Sequence, residues 1–270
     1  MPRIKFYTRS FDLRLYRLSS RLYRGLKDAK GHPIPCVRLT DKSADGYFYA
    51  MLRDRDCDIA VNIDEDAFLT DPQAVLDLVQ RVASEGYANA GYHDTSRKEG
   101  DPAVTNPFFH VLDLAQIRAA FDRKQMVRRL DDLEPYYPFF HWLNDHFRTL
   151  YLPDEIHPDG ITWVAKDEAG RTLCLHTWYA RFYSMPSWLV RRIQPDQGKQ
   201  KARIDAVIRE AYALRGMEVP HFGFGTRILF VLDKCVRWVI KVPQRISRWP
   251  GKLARKIARR RAASAANPQK

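Results

Sequence analysis

Two hydrophobic periods alternate along this chain. Leu15, Leu18, Leu22 and Leu26 recur at helical spacing beside a second stripe of Arg14, Arg17, Arg21 and Arg24, so residues 10–28 are expected to form an amphipathic helix. Gly31, His32 and Pro33 break it. Residues 34–39 then read as a short strand and 44–52 as a helix. From Asp58 to Ile63 the period changes to two: Ile59, Val61 and Ile63 alternate against Ala60 and Asn62, and the strand runs straight into Asp64, Glu65 and Asp66. Pro72 opens a helix whose buried side is Val75, Leu76, Leu78, Val79 and Val82, and Gly86 ends it. Residues 87–93 and 108–112 are expected strands, and 114–121 a helix. An aromatic-rich segment at 136–147 leads to a strand at 149–152. Residues 161–166 and 172–176 flank Asp167–Gly170 as a hairpin, and 199–215 complete the set as a helix. Strands alternating with helices through the first half indicate an α/β sheet rather than a bundle. There is no internal repeat and no apolar run of membrane-spanning length.

Charge changes the picture at one end. The chain of 270 residues carries a net +13, and residues 226–270 hold 13 Lys and Arg against one acid, Asp233, a net of +12. Residues 1–225 hold 32 basic and 31 acidic side chains and are almost neutral. A folded nucleic-acid-binding body would carry its basic patch on itself, so no nucleic-acid partner is expected for residues 1–225. The four cysteines lie far apart without metal-ligand pairing and are expected to be reduced thiols. The N-terminus has no apolar run before a small-residue cleavage site, and no signal peptide is read there.

The acidic triplet carries the chemistry. In an open α/β sheet, ligands bind beyond the carboxyl ends of the strands. Asp64 and Asp66 stand at such a point, one residue apart on a turn, where both can reach one hard cation while Glu65 faces elsewhere. Oxygen ligands suit Mg²⁺ or Mn²⁺, which keep waters and substrate phosphate oxygens in their remaining positions. The plain alternative is a solvated turn between strand and helix.

The run from Asp58 to Leu69, DIAVNIDEDAFL, resembles the D-x-D strand of GT-A glycosyltransferases, in which a preceding Asp opens the same strand. Asp71 and Pro72 begin a helix as family members do. The stretch from Asn106 to Asp113 resembles their acceptor-side strand, and Leu173–Arg181 is similar to the late strand that supplies a histidine metal ligand. The resemblance spans residues 34–185. It implies a GT-A-like mixed sheet flanked by helices, a Mn²⁺ or Mg²⁺ cofactor held by Asp64, Asp66 and His176, and transfer of a sugar from a nucleotide-sugar donor to a hydroxyl. The family's first strand, helix and second strand find no counterpart in the reading above, because the residues before Ile34 read as helix; the N-terminus is expected to be abbreviated. Asp94, after a strand at the mouth of the sheet, and Asn106 and Arg181 are candidate substrate-binding residues. Asp132 and Glu134, in the acidic cluster with Asp131, are candidate general bases for deprotonating an acceptor hydroxyl. Each has a plainer reading: a turn-forming Asp, a surface ion pair, a solvated helix end, or for His176 a hydrogen-bonded structural histidine. His141 and His146 lie off the spacing of a two-histidine zinc site, and the aromatics at 136–142 are expected to be mostly core.

The tail interleaves Ile228–Leu232, Val236 and Trp238–Ile240 with Lys234, Arg237 and Lys241, which is too charged to span a bilayer. Trp238 and Trp249 flanked by cations suit an interfacial helix, and Lys252–Arg261 adds a basic run with Leu253 and Ile257 as its anchors. The expected organisation is a transferase domain at 1–225 and a basic amphipathic appendage at 226–270. The appendage would hold the protein on an anionic membrane from the cytoplasmic side, near a glycan or lipid-linked acceptor of surface-polysaccharide synthesis. The rival readings are a metal-dependent phosphoesterase or nuclease and a non-catalytic sugar-binding relative.

Overall fold

The computed structural model describes residues 2–95, 100–129, 132, 134–180, 183–184, 200–237 and 239–240. The main sheet begins with a strand that the leucine periodicity concealed. Residues Ile4–Arg9 form β1, with Phe6, Tyr7 and Thr8 buried. Asp12 then caps α1, Leu13–Arg21, its carboxylate accepting from the backbone N–H groups of Arg14 and Leu15. The helix is shorter than the Leu/Arg stripes suggest: the chain turns after Leu22, with Gly25 in the left-handed region at φ 84°, and Leu22 and Tyr23 stay buried in that turn. After β2, Cys36–Leu39, the helix α2, Ala44–Arg53, leads to β3, Ile59–Asp64. The expected abbreviation is therefore corrected. A strand, a helix and a second strand precede α2 and β3, and β1 pairs in parallel with both β2 and β3.

Most of the remaining elements follow the period reading, whereas the strands Ala67–Leu69 and Asp154–Ile156 and the helical form of the aromatic segment were not read from it. The remaining elements are β4 (Ala67–Leu69), α3 (Pro72–Glu85), β5 (Tyr87–His93), β6 (Thr105–Asp113), α4 (Leu114–Ala120), α5 (Tyr137–His146), β7 (Arg148–Tyr151), β8 (Asp154–Ile156), β9 (Trp163–Lys166), β10 (Thr172–His176) and α6 (Gln200–Leu214). Pro72 sits in the first turn of α3, Asp71 caps it, and Gly86 closes it in the left-handed conformation at φ 72°. The six-stranded sheet has the order β2-β1-β3-β6-β5-β7, with β6 antiparallel to β3 and β5. A second, antiparallel sheet has the order β4-β10-β9-β8. The mixed α/β sheet flanked by helices is thus the architecture of this chain.

Pleating splits the core in two. Phe6, Val61 and Ile63 point into one cluster with α1, α3 and α6, while Tyr7 and Ala60 point into the other with Phe48, Phe139, Phe140 and Trp142. The aromatics at 136–142 are core, as expected. The chain divides after Phe222 into two compact units. In the second unit, residues 224–237 and 239–240 are helical. Phe224, Ile228, Leu229, Val231, Leu232, Val236, Val239 and Ile240 are all exposed there. Trp238, Trp249 and the run Lys252–Arg261 lie outside the described residues, as do Asp131 and Arg181. Among the described residues no helix is long and apolar enough to cross a membrane.

Candidate functional site at the strand ends

Because β1 lies between β2 and β3, the connections from β1 to β2 and from β2 to β3 run in opposite directions across the sheet. The crevice between the carboxyl ends of β1 and β3 is therefore a topological switch point, where open α/β sheets bind ligands. The residues closing that crevice are Arg9 and Asp64, register partners at the last positions of their strands. The Arg9 guanidinium forks onto the Asp64 carboxylate, with Nε donating to Oδ1 at 2.5 Å and a terminal nitrogen donating to Oδ2. Their side chains are 14% and 16% exposed. The guanidinium also lies 5.6 Å from the centre of the Tyr47 ring.

Topology brings His176 to the same place from 110 positions downstream. The D-x-D turn passes directly into β4, which pairs antiparallel with β10 so that His176 stands opposite Ala67. Thr177 N–H then bonds the Asp66 carbonyl at 3.0 Å. His176 Nε2 faces Asp66 Oδ1 at 3.5 Å, its ring stacked on Phe108 at 4.5 Å, and its Nδ1 is buried with no hydrogen-bond partner. Beyond it, Trp178 and Tyr179 hold left-handed backbones, φ 53° and 58°, which Arg203 braces by donating to the Thr177 and Trp178 carbonyls. Burial opposes the charge of Asp66, but the facing His176 and nearby Arg9 outweigh it and hold its carboxyl below the ordinary value. Burial pushes Asp64 the other way, against the pull of Arg9, and Asp66 adds repulsion.

Among the described residues no three His, Cys, Asp or Glu side chains are gathered as a ready metal cage. The donor set nevertheless fits a hard divalent cation that takes its other ligands from substrate. Two ligands at about 2.1 Å from one ion and at right angles stand about 3 Å apart, so the Asp66–His176 gap needs a shift of only a few tenths of an ångström. Asp64, two positions before Asp66, is engaged by Arg9.

Glu65, the middle residue of the triplet, has a different task. Its Oε2 accepts from Ser10 Oγ at 2.8 Å, Phe11 N–H at 3.0 Å and Asp12 N–H at 2.8 Å, which pins the β1–α1 loop beside the crevice. Burial, then the neighbouring Asp12 carboxylate, push the Glu65 carboxyl up to about 8 against those donors. The folded state thus keeps a proton that the unfolded state releases above the ordinary 4.5. The associated stability is full below pH 4.5 and is lost as pH rises through about 8. Glu65→Gln keeps an oxygen acceptor and removes the titration. Its melting temperature should fall less steeply than the parent's from about pH 5 to about pH 9, as measured by thermal unfolding.

Asp94 and Asn106 also come together. Asp94 is 4% exposed and accepts from the Asn106 amide at 2.8 Å and from the hydroxyls of Tyr137 at 2.8 Å and Tyr136 at 3.2 Å. Tyr136 and Arg9 lie close enough to act on each other electrostatically, which links this buried network to the crevice. Asp132 accepts from the Arg129 N–H at 2.7 Å and faces His141 Nδ1 at 3.7 Å, while His141 Nε2 meets Asp101 at 2.8 Å. Glu134 is half-buried, and its carbonyl accepts from the Tyr137 N–H. Arg9 is the neighbour of the site that sequence reasoning missed; Glu65 was read only as facing elsewhere and Tyr136 only as core. The signal for Arg9 was the alternation Ile4, Phe6, Thr8 ahead of a capping Asp12, hidden by the stronger leucine stripe that follows.

No protein-family model matches the chain, and no curated protein matches it. Solved structures similar to it include the mannosyltransferase PcManGT from Pyrobaculum calidifontis in complex with GDP-Man and Mn²⁺ (13% identity over 100% of this chain and 88% of that one, TM-score 0.39). Another is the galactosyltransferase LgtC in complex with donor and acceptor sugar analogues (14% identity over 55% of this chain and 73% of that one, TM-score 0.36). A third is a cytidylyltransferase from Leptospira borgpetersenii (10% identity over 82% of this chain and 100% of that one, TM-score 0.40). All three likenesses are distant.

Proposed function

We propose that this chain is a metal-dependent glycosyltransferase of the GT-A type, transferring a sugar from a nucleotide diphosphate sugar to a hydroxyl of a glycan or lipid-linked acceptor. The observation that carries the reading is the meeting of Asp66 and His176 at the end of a D-x-D strand, beside a switch-point crevice. Asp66 and His176 would hold Mn²⁺ or Mg²⁺, with Asp64 completing the set once released from Arg9. When bound there, the ion supplies charge neutralisation for a departing diphosphate. The chain's own residues bind and orient the rest. Glu65 fixes the loop against which the nucleotide lies. Asp94 and Asn106 order the wall that receives the sugar, with Arg181 as a further contact. Asp132 or Glu134 takes the proton from the acceptor hydroxyl.

The second unit supports a membrane-bound acceptor. On a helical wheel, Phe224, Ile228, Leu229, Val231, Leu232, Val236, Val239 and Ile240 occupy one broad side, with Arg227, Asp233, Lys234 and Arg237 on the other. A helix with an exposed apolar side and cationic flanks lies in the head-group layer of an anionic bilayer, which would place the enzyme on the cytoplasmic face. Incubating the protein with Mn²⁺, glycan and lipid-linked acceptors bearing free hydroxyls, and a panel of nucleotide sugars tests the reaction class. Metal-dependent release of a nucleoside diphosphate from one of them, seen by chromatography, is the expected result; no turnover of any donor would remove the transferase reading.

A further inference from the structure

The crevice between β1 and β3 is closed by a cation that belongs to the protein. The Arg9 guanidinium occupies both oxygens of Asp64, the first carboxylate of the D-x-D turn, at the point where the fold binds ligands. Two facts make this more than a structural ion pair. The Arg9 and Asp64 side chains keep 14% and 16% of their surface exposed at the mouth of the crevice, so a partner can reach them although most of each is buried. Asp66 and His176 stand in the same locus, so the guanidinium shares one electrostatic neighbourhood with the pair that would hold a divalent ion.

Resting on the transferase reading, the geometry points to Arg9 as a positioning residue that exchanges partners: it holds Asp64 in the free protein and passes its fork to the donor's diphosphate when donor and metal arrive. The charges favour the exchange. With Arg9 paired, the two aspartates and the guanidinium sum to one negative charge; with Arg9 turned to the diphosphate, both carboxylates face the incoming cation. A guanidinium fork matches two phosphate oxygens as well as it matches a carboxylate. The exchange therefore couples metal binding to donor binding, because each removes one partner of the ion pair that resists the other.

The test uses the full chain and two constants that do not depend on turnover: the affinity for Mn²⁺ alone, from electron paramagnetic resonance of the free ion, and the affinity for UDP and GDP at saturating Mn²⁺, from calorimetry. Arg9→Met removes a competing cation and a diphosphate ligand together. It should bind Mn²⁺ at least about tenfold more tightly and the nucleotides at least about tenfold more weakly than the parent. Arg9→Lys keeps the charge without the fork, so its Mn²⁺ affinity should stay within about threefold of the parent's while nucleotide affinity still falls. If Arg9→Met does not fold, the Lys variant decides alone, and unchanged nucleotide affinity there overturns the assignment. A loss of melting temperature with both constants unchanged would mark Arg9 as purely structural and would also overturn it. Should the parent protein bind neither Mn²⁺ nor either nucleotide, the transferase reading itself fails; parental binding of both with no response to Arg9→Met removes only the role of Arg9.

Discussion

Asp66→Ala is expected to abolish Mn²⁺-dependent nucleotide binding and to lower turnover by at least about a hundredfold, since several kcal/mol of charge stabilisation are at stake. Its fold should survive. The Asp66 side chain is 17% exposed and is met by His176 at 3.5 Å, while the backbone bonds that tie the turn to Thr177 use the Asp66 carbonyl, which Ala retains. Asp64→Ala makes the contrasting case. It strands the Arg9 guanidinium in a nearly closed crevice without its counterion, and breaking a buried pair from one side costs about 3–5 kcal/mol. Melting temperatures should therefore fall in both variants, and further in Asp64→Ala, whose stranded partner is a permanently charged guanidinium. Nucleotide binding that persists in Asp66→Ala would move the donor site elsewhere.

Replacing Ile228, Leu232 and Val236 together by Asn is expected to weaken binding to anionic vesicles by about a hundredfold while leaving the melting temperature of the protein unchanged. All three are exposed on one side of the helical segment 224–237, so little packing among the described residues is lost with them. The parent protein should bind vesicles containing an anionic lipid more tightly than neutral ones, and should release as salt shortens the screening length from about 10 Å at 0.1 M. Deleting residues 226–270 removes a net +12 and should abolish binding to anionic vesicles altogether. Co-sedimentation at two ionic strengths reads all of these. A tail that serves RNA would keep its binding after the three Asn substitutions and would release vesicles to RNA in competition.

Most of the sheet was legible because its strands are either strictly alternating, as at Ile59–Ile63, or bounded by strong punctuation, as at Pro72 and Gly86. The meeting of Asp66 and His176 was partly legible for the same reason: Asp66 lies in the turn just past one apolar strand and His176 ends another, and ligands gather at strand ends. What could not be read was register. The short strand Ala67–Leu69 was not read as an element, yet its pairing with Thr172–His176 is what sets His176 beside Asp66. The alternation of Ile4, Phe6 and Thr8 marks the strand that carries Arg9 but not the residue's place opposite Asp64. Its significance comes from lying level with Asp64 on a parallel neighbour, a contact across 55 positions that periodicity does not encode. Asp94 illustrates the reverse. Its position after a strand was clear, but the bonds that bury it come from Asn106, Tyr136 and Tyr137, and only packing reveals this buried network.

The claim that the D-x-D turn and His176 form a metal-dependent donor site is tested most directly by thermal unfolding of the full chain with UDP and GDP, each with Mn²⁺ and with a chelator. A ligand at a hundred times its dissociation constant stabilises the native state by about 2.7 kcal/mol, which in a chain of this size raises the melting temperature by roughly 5–10 °C. The account predicts such a rise for at least one nucleotide with Mn²⁺, little or none with the chelator, and none in the Asp66→Ala variant. A rise that is the same with and without Mn²⁺, or that persists in Asp66→Ala, or no rise for either nucleotide, would contradict it.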